Sequence, residues 1–191
     1  MDLHDFEADL LGKLRGAHRL ALIGIGADLR EDDAVGNLLA REIVAEIARS
    51  HHARAYPDNE CAMEEYVKVE GILVLNASVV PEQYITLVKG FGPDTIIIFD
   101  AAVMGNQSRP GDLSFVRTNE LDASTFSTHT ISLRHFIEIL NALGLDARIF
   151  IVGIQPEKIG YGEELSPAVA ETKVFLKSLL LRYLEQTFLK P

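Results

Sequence analysis

Short apolar blocks recur along the chain, separated by longer segments in which apolar residues repeat every three or four positions. The blocks span residues 20–25, 71–75, 95–99, 113–117 and 148–154. Most of them are rich in leucine, valine or isoleucine and end at glycine or a polar residue, which is typical of strands buried in a parallel sheet. The pattern therefore predicts five strands.

The longer segments predict helices that alternate with these strands. They span residues 3–15, 35–50, 81–89, 131–143 and 167–188. In the second segment, Val35, Leu39, Ile43 and Ile47 recur every four residues and form one apolar stripe. Because each parallel pair of strands needs a crossover connection of this length, the order of elements predicts an α/β sandwich with a mainly parallel sheet.

Two segments stand apart from this alternation. A helix precedes the first strand, so we expect residues 1–17 to form a helical appendage to a single domain of residues 1–191. Residues 51–70 are polar, contain Pro57 and show weak periodicity. We predict that they form an insertion, either a surface excursion or a short extra strand with a helical turn.

The composition excludes several classes of function. The 191 residues include 28 acidic and 18 basic ones, and the formal net charge of -10 argues against nucleic acid as a partner, because such surfaces need Lys and Arg to neutralise phosphates. No apolar run reaches the roughly 20 residues that cross a bilayer, and the acidic start MDLHDFEADL lacks the order of a secretory signal. We therefore expect no membrane insertion and a cytoplasmic location. Cys61 is the single cysteine, which excludes an intramolecular disulfide and a cysteine-based metal site.

Acidic residues follow two of the predicted strands. Glu31, Asp32 and Asp33 stand together before the second helix, and Asp100 follows the strand 95–99. Ligands of open α/β sheets bind at the carboxyl ends of the strands, so these acids are candidates for a functional site. Each has a structural alternative: an acid of the turn can cap the helix that follows it, and Asp100 can bind loop amides.

One histidine is a candidate to join these carboxylates. His129 lies just ahead of the helix 131–143, where a capping or surface role is the alternative. Two carboxylates and an imidazole that converge from different strand ends would suit a borderline divalent ion such as Ni²⁺ or Zn²⁺. Without a thiolate, such a site would hold the ion loosely unless another molecule completed its coordination. This arrangement would suit an enzyme that reads a metal carried by its substrate.

Common nucleotide and nucleophile motifs are missing from the chain. Gly24-Ile25-Gly26 resembles the start of a dinucleotide fingerprint, but its third glycine would fall at Leu29, and the acids that follow would repel a pyrophosphate. The sequence contains neither GxxxxGK[ST] nor GxSxG, which excludes a P-loop and a nucleophile elbow. The acids and the histidine remain the main candidates for chemistry.

Four segments, taken in order, carry a resemblance to a known family. They are GIGADLREDDAVG at 24–36, TIIIFDAAVMG at 95–105, STH at 127–129, and GIQP at 153–156 with GEELSP at 162–167. Between about residues 20 and 184 the chain resembles the hydrogenase maturation endopeptidases, the small α/β enzymes that process the large subunits of nickel–iron hydrogenases. The order and spacing of the four segments carry this resemblance, since none of them is specific alone.

The resemblance implies a fold, a reaction and a set of residues. The implied fold is a three-layer α/β/α sandwich with a mainly parallel, mixed central sheet, and the implied reaction removes the C-terminal extension of a [NiFe]-hydrogenase large-subunit precursor after nickel insertion. Asp33, Asp100 and His129 stand at the positions that contact nickel in the family. They would form both the catalytic and the metal site, and the nickel would be carried by the substrate and held only loosely by the enzyme.

Three positions depart from the family pattern. Ala27 stands where many members have asparagine, Ala34 where many have glycine, and Asn76 begins a segment that often starts with aspartate. Two alternatives stay open, and the departures at Ala27 and Asn76 favour the first of them. The chain could be a relative that binds the hydrogenase precursor without cutting it, or a small-molecule hydrolase on the same fold.

Overall fold

The computed structural model describes residues 3–50, 65–69, 71–105, 107–116 and 130–189. Five helices lie in these ranges: α1 Leu3–Leu14, α2 Val35–Ser50, α3 Ile85–Phe91, α4 Thr130–Ala142 and α5 Pro167–Thr187. Six strands accompany them: β1 Leu20–Ile25, β2 Tyr66–Val69, β3 Ile72–Ser78, β4 Thr95–Ala101, β5 Leu113–Val116 and β6 Arg148–Ile154. Two 3₁₀ turns, Glu31–Ala34 and Pro81–Tyr84, lead directly into α2 and α3. None of the helices in this part of the chain is long and apolar enough to span a bilayer.

The strands form one mixed sheet in the order β2-β3-β1-β4-β6-β5. The four inner strands are parallel to one another, and the edge strands β2 and β5 run antiparallel to their neighbours. Every residue of β1 and β4 is buried. Helices cover both faces of these strands, so their sequences are continuous apolar runs rather than alternating ones.

Helices α1, α2 and α5 cover one face of the sheet. Their apolar residues meet those of the sheet in one core cluster. We expected α1 to be an appendage, but its residues Phe6, Leu10 and Leu14 are fully buried in that cluster. Phe6 also stacks on Phe115 of β5, with the two ring centroids 5.1 Å apart. Helix α1 is therefore an integral part of this layer.

Helices α3 and α4 cover the opposite face. Phe91 of α3 and Phe136 of α4 are buried in a second core cluster, together with Ile96 and Ile98 of β4. Two helical layers thus enclose the sheet, and the expected three-layer α/β/α sandwich with a mainly parallel, mixed sheet is confirmed.

Two glycines allow α2 to approach the sheet closely. A Cβ on Gly24 of β1 would overlap the carbonyl oxygen of Gly36, and a Cβ on Gly36 would overlap the carbonyl oxygens of Ile25 and Phe99. A larger residue at either position would push the first turn of α2 away from the ends of β1 and β4. This close contact determines where the residues just before α2 lie.

Some element boundaries differ from the predicted ones. Strand β4 continues to Ala101, so Asp100 lies inside the strand, paired in register with Gly153 of β6, and does not follow it. The segment predicted as one helix at 81–89 is a 3₁₀ turn followed by α3. Within 51–70, the expected short extra strand is present as β2, and residues 51–64 and 70 lie outside the described part of the chain.

Candidate functional site

The carboxyl ends of the four parallel strands lie together at one edge of the sheet. Helix α2, which follows β1, covers one face of the sheet. The helices that come next after the neighbouring strands β3 and β4 cover the other face. Where adjacent strands feed helices on opposite faces, a crevice opens between their loops, and this is where open α/β sheets bind ligands. This rule places the candidate crevice above the carboxyl ends of β1 and β4.

Asp33 lies on the β1 side of this edge, in the turn before α2. It lies in the Glu31–Ala34 turn, which packs against β4, and its exposed fraction is 0%. Its carbonyl oxygen lies so close to Gly26 that a Cβ on that glycine would overlap it. Gly26 also has a φ of 149°, a conformation that side chains rarely adopt. Glycine at position 26 thus allows the turn to fold back over the end of β1.

Asp100 lies near the same edge, on the neighbouring strand β4. It is the last but one residue of β4 and is 2% exposed. The carbonyl oxygen of Phe99, the residue before it, is in the close contact with Gly36 at the start of α2. The ends of β1 and β4 and the start of α2 are therefore packed together, and the predicted neighbourhood of Asp33 and Asp100 is consistent with this packing.

Asp32 makes a different set of contacts from Asp33. It is fully buried, and its Oδ2 accepts hydrogen bonds from the backbone N–H groups of Glu157 at 2.8 Å and Lys158 at 3.0 Å. Ser166 donates its backbone N–H to Oδ1 at 2.6 Å and its hydroxyl to Oδ2 at 2.9 Å. Four donors in this arrangement satisfy the carboxylate, so Asp32 is a structural acid that binds the loop between β6 and α5.

Residues 156–166, which we call the β6 loop, are also attached to the chain around Glu31. The Glu31 N–H donates to the Gly162 carbonyl at 2.9 Å, and the Gly162 N–H donates to the Leu29 carbonyl at 3.1 Å. Glu31 Oε1 and Lys158 Nζ form an ion pair at 2.8 Å. The hydrogen bond to Glu31 raises the pKa of Lys158, although partial desolvation opposes the shift. The β6 loop and the loop after β1 therefore form one connected unit.

Asn37 connects the loops after β1 and β3. This fully buried residue of α2 donates its side-chain N–H to the Gly26 carbonyl at 2.7 Å and accepts the Ser78 N–H at 3.0 Å. The Gly26 N–H in turn donates to the Ser78 carbonyl at 3.1 Å. Asn76, which stands where the family often has aspartate, accepts the Ser78 N–H at 3.2 Å. Sequence reasoning missed Asn37; its only signal was an amide residue within the buried first turn of α2.

The third predicted site residue, His129, lies outside the described residues. Helix α4 begins at Thr130, and it must run back along the sheet because it leads to the parallel strand β6. Within the ranges that the structure describes, no group of three His, Cys, Asp or Glu side chains could hold a metal ion. The described part of the site thus offers oxygen ligands from acids, which can attract a cation, orient it or accept a proton.

Comparisons with known proteins agree on one family. The family model HycI, described as hydrogenase maturation protease, matches residues 60–182. A curated relative from Methanocaldococcus jannaschii, which carries a provisional name as a hydrogenase maturation protease, is 28% identical over 152 residues, 80% of this chain and 80% of its own length.

Solved structures extend the similarity to the fold. The [NiFe] hydrogenase maturation protease HycI from Thermococcus kodakarensis superposes with a TM-score of 0.72 at 26% identity, covering 93% of this chain and 99% of its own. The hydrogenase maturating endopeptidase HybD from E. coli superposes with a TM-score of 0.65, covering 89% of this chain and 94% of its own. At 19% identity, this second match supports the fold alone.

Proposed function

The chain belongs to the hydrogenase maturation protease family, and from that premise we propose that it removes the C-terminal extension of a [NiFe]-hydrogenase large-subunit precursor after nickel insertion. The enzyme is a peptide hydrolase, and the proposed substrate is a folded protein that carries its own metal. We further propose that Asp33, Asp100 and His129 contact the nickel of the precursor. Cleavage would then follow only when the precursor is loaded.

The observation that supports this proposal is that Asp33 and Asp100 are both buried and lie on segments that pack together at the carboxyl ends of β1 and β4. Asp33 and Asp100 are 0% and 2% exposed, in a setting where burying an anion is costly. A cation presented by the substrate would interact strongly with them, because attraction between charges is stronger where water is excluded. The crevice is therefore suited to recognising a positive ion on a docked partner.

The chemistry of these ligands also supports a metal that stays with the substrate. Two carboxylates with one imidazole are too few and too hard to compete for a borderline ion such as Ni²⁺ against a site with thiolates. The precursor would supply the rest of the coordination sphere. The enzyme would then test whether the ion is present without removing it.

Hydrolysis requires an activated water and stabilisation of the oxyanion that forms. A carboxylate that acts as the base needs a raised pKa, whereas one that contacts the ion must remain charged. Asp32 is not available for either role, because its oxygens accept four hydrogen bonds from the β6 loop.

The test follows the mass of a nickel-loaded precursor incubated with the wild type and with Asp33→Asn, Asp100→Asn and His129→Ala. Each variant is expected to cleave at least about a hundredfold more slowly, the usual loss for a general acid or base. Asp146→Asn is the matched control, because this exposed acid lies between α4 and β6, at the opposite edge of the sheet. Normal cleavage by all three site variants would refute the site.

The role of the metal is tested separately with nickel-free precursor. The wild type is expected to leave this precursor intact, and adding nickel to the precursor should restore cleavage. Equal cleavage of loaded and unloaded precursor would refute metal recognition while leaving the proteolytic activity in place. Binding of the precursor without any change in mass would instead favour a non-cleaving relative.

A further inference from the structure

The β6 loop combines strong attachment with an exposed aromatic side chain. Asp32 accepts four hydrogen bonds from this loop, and Lys158 pairs with Glu31. Tyr161 nevertheless has an exposed fraction of 87%. A tyrosine on a fixed loop loses little further conformational freedom when a partner covers it, which is a property of side chains that anchor binding.

Leu29 lies beside this tyrosine in the backbone pairing of the two loops. The Leu29 carbonyl accepts the N–H of Gly162, the residue after Tyr161, and Leu29 is itself 47% exposed. The same loop continues into the turn that contains Asp33. The exposed side chains of Leu29 and Tyr161 are thus each only a few residues along the backbone from segments that form the candidate site.

The exposed apolar residues of the described chain are concentrated at this edge of the sheet. Eight large hydrophobic residues of the described chain are exposed. Four of them lie on loops that each follow a different parallel strand. These four, which we call the strand-end rim, are Leu29 after β1, Val80 after β3, Val103 after β4 and Tyr161 after β6. Single exposed apolar residues need no explanation, but one on every loop around a crevice indicates a surface that a partner covers.

Acidic side chains flank the rim. Glu157, Glu163 and Glu164 are exposed on the β6 loop, and Lys158, the one cation of that loop, is already paired with Glu31. The loops that carry Leu29 and Val103 each expose one arginine, Arg30 and Arg109, so the negative charge is concentrated on the β6 loop. A segment docked on Tyr161 would therefore meet apolar surface bordered by carboxylates. The complementary segment carries a large apolar side chain close to a lysine or arginine.

We propose that the strand-end rim is the docking surface for the hydrogenase precursor, with Tyr161 and Leu29 as the anchor for an apolar side chain of a basic segment. This inference rests on the proposed function for the identity of the partner. The rim binds the precursor, and the acids in the crevice take part in the cleavage reaction. The rim therefore controls KM, and the crevice controls kcat.

The first experiment compares steady-state cleavage of loaded precursor by Tyr161→Ser, Leu29→Ser and Val174→Ser. Val174 is the matched control, since it is 56% exposed but lies on α5, away from the rim. The rim variants are expected to raise KM by about tenfold, the loss typical of an anchor residue, with kcat unchanged. Tyr161→Phe should retain a KM within about twofold of wild type, because it keeps the ring.

The second experiment measures binding without cleavage. A fluorescent peptide with the sequence of the precursor's C-terminal region is titrated into wild type, Tyr161→Ser and the double variant Glu163→Gln/Glu164→Gln at low and high salt. Tyr161→Ser is expected to weaken binding about tenfold at both salt concentrations. The double variant is expected to weaken binding only at low salt, because salt screens exposed charges.

The two experiments separate failure of docking from failure of the proposed function. If the rim variants have the same KM as Val174→Ser, and Tyr161→Ser binds the peptide as tightly as wild type, the docking surface is refuted. If the wild type does not cleave the precursor but binds the peptide through Tyr161, the proteolytic proposal fails and the docking surface stands. Unchanged affinity of the double variant at low salt would refute the basic character of the bound segment.

Discussion

Asp32 and Ser166 are bound to each other twice, through the serine N–H at 2.6 Å from Oδ1 and the serine hydroxyl at 2.9 Å from Oδ2. Ser166 is the residue immediately before α5, and Asp32 lies three residues before α2. This pair therefore joins the starts of two helices that lie in the same layer. It also positions the β6 loop beside the turn that contains Asp33.

Replacing Asp32 should destabilise the fold more than replacing an ordinary surface acid. Asp32→Ala leaves three backbone N–H groups and one hydroxyl of the β6 loop without their acceptor, and we expect a loss of about 3 kcal/mol in the free energy of unfolding. Urea denaturation followed by circular dichroism measures this loss. Asp146→Ala serves as the control, with a change within about 0.5 kcal/mol. A similar small change for Asp32→Ala would show that solvent replaces the carboxylate without cost.

Gly36→Ala should destabilise the protein although alanine favours helices. The added Cβ would overlap the carbonyl oxygens of Ile25 and Phe99, so the start of α2 must move away from the sheet, at a cost of about 1–3 kcal/mol. Gly12→Ala in α1 is the matched control, because no atom lies within 4 Å of its added Cβ. That control should gain about 0.5–1 kcal/mol from helix propensity. Thermal denaturation of both variants shows whether their changes in stability have opposite signs.

Asn37→Ala should affect cleavage as well as stability. It removes one of the two acceptors of the Ser78 N–H and the donor to the Gly26 carbonyl, so we expect a loss of about 2 kcal/mol in stability. Because Gly26 packs against Asp33, the turn that carries this acid should also shift, and kcat should fall while KM changes little. Steady-state cleavage at a temperature where the variant is fully folded separates the two effects. An unchanged kcat would limit Asn37 to a structural role.

Asp94 should make stability depend on pH at the opposite edge of the sheet. Burial acts to raise the pKa of this carboxyl, but hydrogen bonds from the Thr95 hydroxyl and the backbone N–H groups of His18 and Arg19 outweigh it and lower the pKa. The stability contributed by a carboxyl with a lowered pKa is present above its unfolded value, about 3.9, and is lost as pH falls through the folded value.

We therefore expect Asp94→Asn to be less stable than wild type at pH 7, and expect the difference to shrink below about pH 4. Urea denaturation midpoints of the two proteins, measured at matched pH, check this prediction. Subtracting the variant's dependence of stability on pH from that of the wild type removes the contribution of the other carboxyls, which both proteins share. A difference that stays constant from pH 7 to pH 3 would contradict it.

Local sequence pattern was enough to predict most elements of the fold. Strands β1 and β6 and helix α2 have the predicted bounds, because a continuous apolar run or a four-residue stripe is set by neighbours along the chain. The edge strand β2 was foreseen only as one of two options. Its assignment depends on pairing with β3, which sequence periodicity does not report.

The candidate site could be located from sequence, but the roles of its acids could not all be separated. The strand-end rule selected Glu31, Asp32 and Asp33 as a group together with Asp100, and only the family resemblance singled out Asp33 from that group. Asp32 and Asp33 are adjacent and chemically identical, so sequence pattern could not tell them apart. The four hydrogen bonds that Asp32 accepts from the β6 loop identify it as the structural acid, and they form only in the folded chain.

The sequence by itself determined which segments become the four parallel strands, β5 and the five helices, that the sheet is mainly parallel, and which acids stand near its carboxyl edge. Tertiary structure alone decided that α1 is part of the core, that Asp32 binds a loop more than 120 residues away, and that Leu29 lies beside Tyr161. The physical reason is the distance along the chain between the residues in contact. Periodicity and turn chemistry act between neighbours, whereas these contacts form only when the packed layers bring distant loops together.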